Sequence, residues 1–292
     1  MLDNYSYLKN EKNNMRYIIV SKATLEGKIG SDAQDFNKYH ELGWEMVTTR
    51  FMLNRMKNEG KIGPGDIVVT QRDRMFLYEN NFSVMAFDDF VELEKRYVPE
   101  SIDLVRQVQL KGDRHTWNDF TLDIGPSRKY KFMEEDRELN TTFEKADIMS
   151  DEPYVCLSIR KRGHESCRNM RDEYANNLIK EIKKYINKIY VVGKGCESFE
   201  GTQYVTLQEY ATLCNSEKCV ANIGSVSGAM FIPTMFSKAK YNIIIDINAG
   251  FNDGVKRGDP LFMANCVRYT DSEYIILDSN DELNLEKYLK LN

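Results

Sequence analysis

Short apolar runs alternate with segments of mixed polarity along the first hundred residues. Three of these runs predict strands, at residues 17–21, 66–71 and 83–87, because consecutive β-branched and apolar residues are typical of buried strands. Helices are predicted at 32–42 and 88–96, and residues 44–58 are interpreted as a further strand followed by a helix. Strands that alternate with helices favour a parallel sheet covered by helices.

The same alternation restarts after residue 150. It predicts strands at 154–159, 188–192, 203–205, 219–223, 241–247 and 273–277, and helices at 171–186, 207–215 and 229–237. We therefore predict an α/β fold with two Rossmann-like domains that face a cleft. Residues 1–14 would form a polar arm, 15–150 the N-terminal domain with an interdomain region from about residue 99, and 151–292 the C-terminal domain.

The composition is that of a soluble globular protein, with 42% hydrophobic and 29% charged residues in a chain of 292. Its 45 acidic and 40 basic residues give a net charge of -5, which disfavours nucleic acid or an anionic membrane surface as a partner. The chain has no apolar run of about 18 residues and no basic-then-apolar leader, so we expect no membrane span and a cytoplasmic location. Its six cysteines match neither a zinc pattern nor a CxxC pair, so we expect reduced, buried thiols.

A dense basic stretch, VCLSIRKRGHESCRNM at 155–170, follows a predicted strand. In open α/β sheets ligands bind at the carboxyl ends of the strands, and Arg160 and Arg162 come directly after this one. Their planar guanidinium groups can each hold phosphate oxygens with two hydrogen bonds, and Arg168 precedes the next helix. We predict that all three arginines bind a phosphate-containing ligand. The alternative is a solvated basic turn paired with acidic side chains.

Five small residues, GSVSG at 224–228, stand between a predicted strand and a predicted helix. Small residues let a ligand approach the backbone, and Ser225, Ser227 and Gly228 would offer hydroxyl and N–H donors at a helix start. The pattern suits a diphosphate. The alternative is an ordinary strand-to-helix turn with serine as the N-cap.

A glycine turn, GKG at 193–195, follows the apolar run KIYVV, and Thr206 stands at the end of the next short strand. Lys194 and Thr206 are therefore candidates for contacts with a nucleotide, and an ordinary turn is the alternative. The turn matches neither GxGxxG nor the P-loop pattern GxxxxGK[ST], which disfavours NAD-binding and ATPase classes.

The candidate proton acceptor in the first half is Asp73, which follows the run DIVVTQ and stands between two arginines. Positive charge on both sides would keep its carboxylate ionised, so it could accept a proton from an alcohol across the cleft. One alternative is a structural ion pair. The other is a histidine base, with His115 in DRHTWND ahead of His40 and His164.

Several metal-dependent chemistries lack their motifs in this chain. It contains no Asp-x-Asp pair, no HExxH, and no histidine and cysteine cluster at metal spacing. We therefore expect neither a metal nor another cofactor, with arginines neutralising a phosphate ligand instead.

The segment SIRKRGHESCRNM resembles the arginine motif that opens the donor domain of fucosyltransferase-like and related viral enzymes. CVANIGSVSGAMFIPTMF resembles their diphosphate-binding strand, loop and helix. With its two α/β halves, the chain is similar to GT-B nucleotide-sugar glycosyltransferases over most of residues 15–277. It is also similar to the capsid-glycan transferases of large algal viruses (chloroviruses), including a xylosyltransferase type. Ser158 stands where the fucosyltransferase-like motif commonly has histidine, which disfavours fucose as the sugar.

The resemblance implies an inverting, metal-independent transferase that moves a sugar from a UDP- or GDP-sugar, UDP-xylose among them, to a glycan hydroxyl. The nucleotide sugar would be a substrate held by the C-terminal domain, and the acceptor an oligosaccharide or glycoprotein. Asp73 of the acceptor-binding N-terminal domain would take the proton of the attacking hydroxyl. The diphosphate would lie at Arg160, Arg162, Arg168, Ser225, Ser227 and Gly228. A viral enzyme of this kind would act in the host cytoplasm.

Two other functions stay open on the residues alone. A sulfotransferase-like enzyme, or another nucleotide-phosphate-dependent transferase, would use the same loops for an adenosine bisphosphate, with GKIGSDAQ at 27–34 as a loose match to its phosphate loop. A non-catalytic glycan- or anion-binding module would present a basic groove, which the acidic composition disfavours.

Overall fold

The computed structural model describes residues 16–21, 42–96, 101–103, 145–148, 150–161, 169–193, 195–196, 199–247, 270–280 and 282–290. The predicted polar arm, the predicted helix at 32–42 apart from its last residue, and most of the predicted interdomain region lie outside these ranges. In the part of the chain that the structure describes, no helix has the length and apolar character needed to cross a lipid bilayer.

In the described ranges the first sheet has four parallel strands: β1 (Tyr17–Ile19), β2 (Ile67–Thr70), β3 (Ser83–Ala86) and β4 (Ser101–Asp103). They lie in the order β3-β2-β1-β4, so the chain moves from β1 to one edge and then returns to the other side of β1. All three residues of β1 are buried, as expected for a central parallel strand covered on both faces. Residues 101–103, which the sequence analysis assigned to the interdomain region, pair with β1 as a strand of this sheet.

One helical run fills residues 42–58, where the sequence analysis placed a strand before a helix. It consists of α1 (Leu42–Trp44), a π-helical turn (Glu45–Thr49) and α2 (Arg50–Asn58). Among the side chains of this run that the structure describes, the buried ones include both apolar and polar residues: Leu42, Met46, Leu53, Glu45, Thr49 and Arg50. The strand prediction was wrong because the polar residues on the buried face hide the helical period of the apolar ones.

The described residues of the first unit also form two further helical elements. A 3₁₀ helix (Arg72–Leu77) follows β2, and α3 (Phe87–Glu94) follows β3. Phe87 and Phe90 of α3 pack on β1, where the rings of Phe90 and Tyr17 lie 5.3 Å apart. Burial of these rings fixes α3 on one face of the sheet.

The second sheet, as far as its residues are described, has six parallel strands: β5 (Tyr154–Ser158), β6 (Lys188–Val192), β7 (Gln203–Tyr204), β8 (Cys219–Ser225), β9 (Tyr241–Asp246) and β10 (Glu273–Asp278). Their order is β7-β6-β5-β8-β9-β10. Counted from β5, this is 3-2-1-4-5-6, the strand order of Rossmann sheets that bind dinucleotides. The first sheet has the first four strands of the same order, so the prediction of an α/β fold with two Rossmann-like units is confirmed.

Helices cover both faces of the second sheet: α4 (Asp172–Lys183), α5 (Leu207–Cys214), α6 (Phe231–Phe236) and α7 (Glu286–Leu289). Alternate residues of β5 face opposite ways, as the period of a strand requires. Val155 and Leu157 pack with α4 and α7, while Tyr154 and Cys156 pack with α5 and α6. The helix α7 was not predicted.

The hydrophobic cluster on the α5 and α6 side also includes residues of the first unit. Leu42, Met46 and Leu53 of the helical run 42–58 belong to it, as does Leu77 of the 3₁₀ helix. The two units therefore share a continuous apolar core on this side.

Candidate functional site

The carboxyl ends of β5 and β8 form the point at which the strand order of the second sheet reverses. From β5 the chain proceeds to β6 and β7 on one side, and β8 begins the other side. Ser158 at the end of β5 is the register partner of Gly224 near the end of β8. Open α/β sheets bind ligands at this kind of switch point.

Close packing at this point requires glycine at position 224. A Cβ on Gly224 would lie 2.6 Å from the Ser158 carbonyl oxygen and 2.9 Å from the Ser158 Cβ. The chain then turns back, which brings the hydroxyl oxygens of Ser227 and Ser158 to 3.2 Å from each other. The predicted small-residue turn thus lies against the end of β5.

The start of the predicted turn is in fact strand, since β8 continues through Ser225. The Ser225 side chain is buried, with a relative exposure of 1%, and its hydroxyl has no hydrogen-bond partner among the described residues. A buried hydroxyl without a partner costs about 1–3 kcal/mol. The next helix, α6, begins at Phe231 and not at Ala229, so the turn is longer than predicted.

Arg160 lies two residues beyond the end of β5. It is only 5% exposed, and its Nη1 donates a hydrogen bond to the Asn169 side-chain oxygen at 2.6 Å. The Met170 N–H donates to the Arg160 carbonyl oxygen at 3.1 Å, so the residues on both sides of the loop meet. Arg162 and Arg168 lie outside the described residues, and the binding roles of all three arginines stay predictions.

The glycine turn after β6 packs on the residue that follows β5. Gly193 has φ 137°, and a Cβ there would overlap the Ile159 carbonyl oxygen. Lys194 lies outside the described residues. Thr206 is the N-cap of α5, where its hydroxyl accepts a hydrogen bond from the Glu209 N–H at 3.2 Å and the Glu209 carboxylate closes a capping box. Nucleotide contacts of Lys194 and Thr206 stay predictions.

Asp73 lies in the 3₁₀ helix that follows β2, and its side chain is 57% exposed. The two flanking arginines have other partners. Arg72 forms an ion pair with Asp89 at 2.8 Å, and Arg74 forms one with Glu45 at 2.6 Å, while Arg74 Nε is 3.9 Å from the Asp73 carboxylate. Its role as proton acceptor stays a prediction, and the three histidine alternatives lie outside the described residues.

Glu45 is a buried carboxylate that the sequence analysis missed. It is fully buried and accepts hydrogen bonds from Arg74 Nη1, from the Thr70 hydroxyl, and from the Tyr78 hydroxyl at 3.0 Å. Burial, with the charge of Glu45 next, raises the pKa of Tyr78 well above its ordinary range, so Tyr78 stays a neutral donor. The sequence signal that could have pointed to Glu45 was its helical spacing to Thr49, four residues away, among apolar positions that are buried.

The turn after β8 contacts the first unit directly. A Cβ on Gly228 would lie 2.9 Å from the Gly43 nitrogen and 3.0 Å from the Leu42 Cβ. Further along the same helical run, Arg50 Nη1 lies 3.5 Å from the Met235 sulfur. The helical run 42–58 therefore lies beside the predicted diphosphate turn.

Four of the six cysteines are described, and all four are buried and free, as predicted: Cys156, Cys196, Cys214 and Cys219. Burial raises the pKa of three of these thiols, those of Cys156, Cys214 and Cys219. Buried thiols of raised pKa are poor nucleophiles and poor metal ligands. Among the described residues no group of three or more His, Cys, Asp or Glu side chains could hold a metal ion.

No protein-family model and no curated protein matches the chain. It is similar to the solved structure of the iron-containing dodecameric glycosyltransferase TibC from enterotoxigenic E. coli, with 12% identity, a TM-score of 0.45, and coverage of 91% of this chain and 67% of that one. It is also similar to the ADP-heptose lipopolysaccharide heptosyltransferase II of E. coli, with 9% identity, a TM-score of 0.44, and coverage of 79% and 84%. A family 9 glycosyl transferase from Veillonella parvula has 12% identity, a TM-score of 0.44, and coverage of 90% and 85%. Likenesses of this size assign neither family nor activity, so the fold assignment rests on the two sheets.

Proposed function

We propose that this chain is a glycosyltransferase that moves a sugar from a nucleotide-diphosphate donor to a glycan hydroxyl. The observation that carries the proposal is the buried Ser225 hydroxyl, which lacks a partner among the described residues at the switch point of a Rossmann sheet. The paired hydroxyls of Ser158 and Ser227 and the buried Arg160 belong to the same two strand ends. Hydroxyl and guanidinium donors together suit the oxygens of a diphosphate.

The donor would be a UDP- or GDP-sugar, with UDP-xylose as one candidate. Arg160, Arg162 and Arg168 would carry most of the positive charge at the diphosphate, and Ser225, Ser227 and Gly228 would add hydroxyl and N–H donors. Lys194 and Thr206, which follow β6 and β7, would contact the nucleoside. All of these residues would contact the nucleotide sugar, which is a substrate. We propose no cofactor.

The acceptor, an oligosaccharide or glycoprotein, would bind on the side of the first unit. Asp73 follows β2 at the carboxyl edge of that sheet and has an exposed carboxylate. In the reaction, the acceptor hydroxyl gives its proton to Asp73 as its oxygen bonds to the anomeric carbon, and the bond to the diphosphate breaks. Attack from the face opposite the leaving group inverts the anomeric configuration.

We propose that no metal takes part in this transfer. Arginine side chains and hydroxyl donors would stabilise the negative charge that develops on the departing diphosphate. A well-placed donor of this kind contributes about 3–4 kcal/mol to a transition state. Transfer that persists in EDTA supports this part of the proposal, whereas loss of transfer in EDTA removes the metal-free mechanism and leaves glycosyl transfer standing.

A thermal-shift panel separates the proposed function from its alternatives. We expect UDP or GDP to raise the melting temperature, because a ligand that binds the folded state stabilises it. Stabilisation by adenosine 3′,5′-bisphosphate alone would indicate the sulfotransferase-like alternative. Stabilisation by simple anions that disappears steeply with added salt would indicate a non-catalytic anion-binding module.

A transfer assay with UDP- and GDP-sugars tests the reaction and the role of Asp73. Asp73→Asn should lower turnover by about 100-fold or more if Asp73 is the proton acceptor. Asp89→Asn is the matched control, because Asp89 is a neighbouring acid that pairs with Arg72 and should leave turnover unchanged. Near-normal turnover of Asp73→Asn would move the role elsewhere, with His115 first. The anomeric configuration of the product, read by NMR, tests inversion.

A further inference from the structure

A buried carboxylate network lies beneath the 3₁₀ helix Arg72–Leu77. Its centre is Glu45, which accepts hydrogen bonds from Thr70, Arg74 and Tyr78. Thr70 is the last residue of β2, Arg74 lies within the 3₁₀ helix, and Tyr78 directly follows it. The Glu45 carboxylate is thus hydrogen-bonded to residues before, within and after this short helix.

Such a network contributes little net stability to the fold. Replacing a buried ion pair with well-packed apolar residues is often neutral or stabilising, because both charges must be removed from water. Its directional hydrogen bonds do fix geometry, and Arg74 with Glu45 forms a charge-assisted pair at 2.6 Å. The π-helical turn Glu45–Thr49 begins at this carboxylate, and π-helical turns are frequent at functional sites. Both features favour a positioning role.

We propose that Glu45 is a positioning residue for Asp73, an inference that rests on the proposed function. Arg74 is the link, since its Nη1 contacts Glu45 at 2.6 Å and its Nε lies 3.9 Å from the Asp73 carboxylate. By holding Arg74 toward the interior, Glu45 prevents Arg74 from forming a close bidentate pair with Asp73. The Asp73 carboxylate therefore keeps the exposed orientation in which an acceptor hydroxyl can reach it.

Glu45 does not fit the role of proton acceptor itself. Its side chain has no exposed surface, and three donors occupy its oxygens. Asp73, by contrast, is 57% exposed. The two acids therefore have different roles: Asp73 contacts the substrate, and Glu45 acts on Asp73 through Arg74.

A double-mutant cycle in the transfer assay tests the positioning role. Glu45→Gln should lower kcat by about 10- to 100-fold, the loss expected when a catalytic group is displaced by about 1 Å, and should leave KM for the donor unchanged. In an Asp73→Asn background the same change should cause no further loss of turnover. A merely structural role would lower the residual turnover in both backgrounds.

Two further variants keep the test decisive if Glu45→Gln folds poorly. Tyr78→Phe removes one neutral hydrogen bond to Glu45 and keeps the ion pair with Arg74, so it should give a smaller loss of kcat with the same dependence on Asp73. Asp66→Asn is the matched control, because it removes another buried acid of the same unit. It should lower the melting temperature and leave kcat unchanged.

Wild-type turnover decides the proposed function, and the comparison of variants then decides the role of Glu45. Losses that multiply in the Glu45→Gln, Asp73→Asn double variant overturn the positioning role, as does wild-type kcat in Glu45→Gln. Turnover abolished by Glu45→Gln while Asp73→Asn stays active would make Glu45 the proton acceptor and also overturn it. A wild-type protein without transfer activity removes both proposals at once.

Discussion

Ser225→Ala should have effects of opposite sign on the free protein and on nucleotide binding. The Ser225 hydroxyl is buried without a partner among the described residues, whereas in the unfolded chain water would satisfy it. Alanine removes the unsatisfied oxygen and leaves a void smaller than a methyl group. The free protein should therefore become more stable, although most substitutions of a buried serine destabilise.

The magnitudes follow from the cost of an unsatisfied buried hydroxyl and from the gain of a charged hydrogen bond. The hydroxyl costs about 1–3 kcal/mol, so we expect a net gain of about 1 kcal/mol after the lost packing contacts, or about 2 °C in melting temperature. A hydrogen bond to a charged phosphate contributes about 1.5–3 kcal/mol. Its loss should weaken the affinity for UDP or GDP by about 10- to 150-fold.

Denaturant unfolding and calorimetric titration measure the two effects separately. Ser158→Ala is the matched control, because the Ser158 hydroxyl pairs with Ser227 at 3.2 Å and its removal should destabilise by about 0.5–1.5 kcal/mol. Destabilisation of Ser225→Ala equal to that of the control would show that Ser225 has a partner in the free protein. Unchanged nucleotide affinity in Ser225→Ala would refute its place at the phosphate.

Two further predictions concern stability. Gly193→Ala should lower the free energy of unfolding, measured with denaturant, by at least about 2 kcal/mol, because a Cβ at φ 137° would overlap the Ile159 carbonyl oxygen. Gly65→Ala is the control and should be near neutral, because a Cβ at Gly65 meets nothing within 4 Å. Equal effects of the two substitutions would contradict this prediction. Burial would raise the pKa of the Asp66 carboxyl, but hydrogen bonds from Arg16 and from the Gly63 N–H, together with the charge of Arg16, outweigh it and lower that pKa. A carboxyl whose pKa is lower in the folded state than in the unfolded state stabilises the fold at pH values above the unfolded pKa of about 3.9. This stabilisation is lost as the pH falls through the folded-state pKa. The wild type should therefore lose more unfolding free energy than Asp66→Asn between about pH 5 and pH 2. Equal losses in the two proteins would exclude the ion pair as the cause.

Strands were predictable from the sequence because buried parallel strands are short, continuous apolar runs. The run YVCLS at Tyr154–Ser158 is buried at every position, and the strand ends one residue before the predicted end at 159. The three-residue β4 was missed because its sequence, SID, has one apolar residue between two polar ones and so lacks the continuous apolar run that predicted the equally short β1. It is stabilised by pairing with β1, a contact distant in sequence.

Residues 42–58 show where patterning fails. A helix is recognised by a face of apolar residues, but the buried face of this run includes Glu45, Thr49 and Arg50. These polar residues are buried because partners far along the chain bond them, as the Leu77 carbonyl oxygen bonds Arg50 Nε at 3.2 Å. The helical spacing of these residues is visible in the local sequence but their partners are not, so the start of the helix and the role of Glu45 were missed.

The candidate site was located by the rule that strand ends bind ligands, but its details needed coordinates. Sequence placed Arg160, Ser225 and Ser227 at strand ends of one sheet. It did not distinguish the paired hydroxyl of Ser227 from the unpaired one of Ser225, because that depends on the approach of Ser158 across two strands. It also did not show that Arg74 pairs with a buried acid in preference to Asp73.

The helical run 42–58 makes directional contacts with both the predicted diphosphate turn and the 3₁₀ helix that carries Asp73. At its start, Gly43 lies against the Phe231 ring beside the predicted diphosphate turn, with a Cβ position 3.2 Å from that ring. Farther along, the buried Arg50 bonds the last carbonyl of the 3₁₀ helix that carries Asp73 and also lies 5.5 Å from the Phe236 ring centroid of α6. Apolar packing alone would tolerate sliding between these elements, whereas a guanidinium group with a fixed planar set of donors does not. The run therefore sets the position of the Asp73 helix relative to α6, and a substitution at Arg50 should disturb both at once.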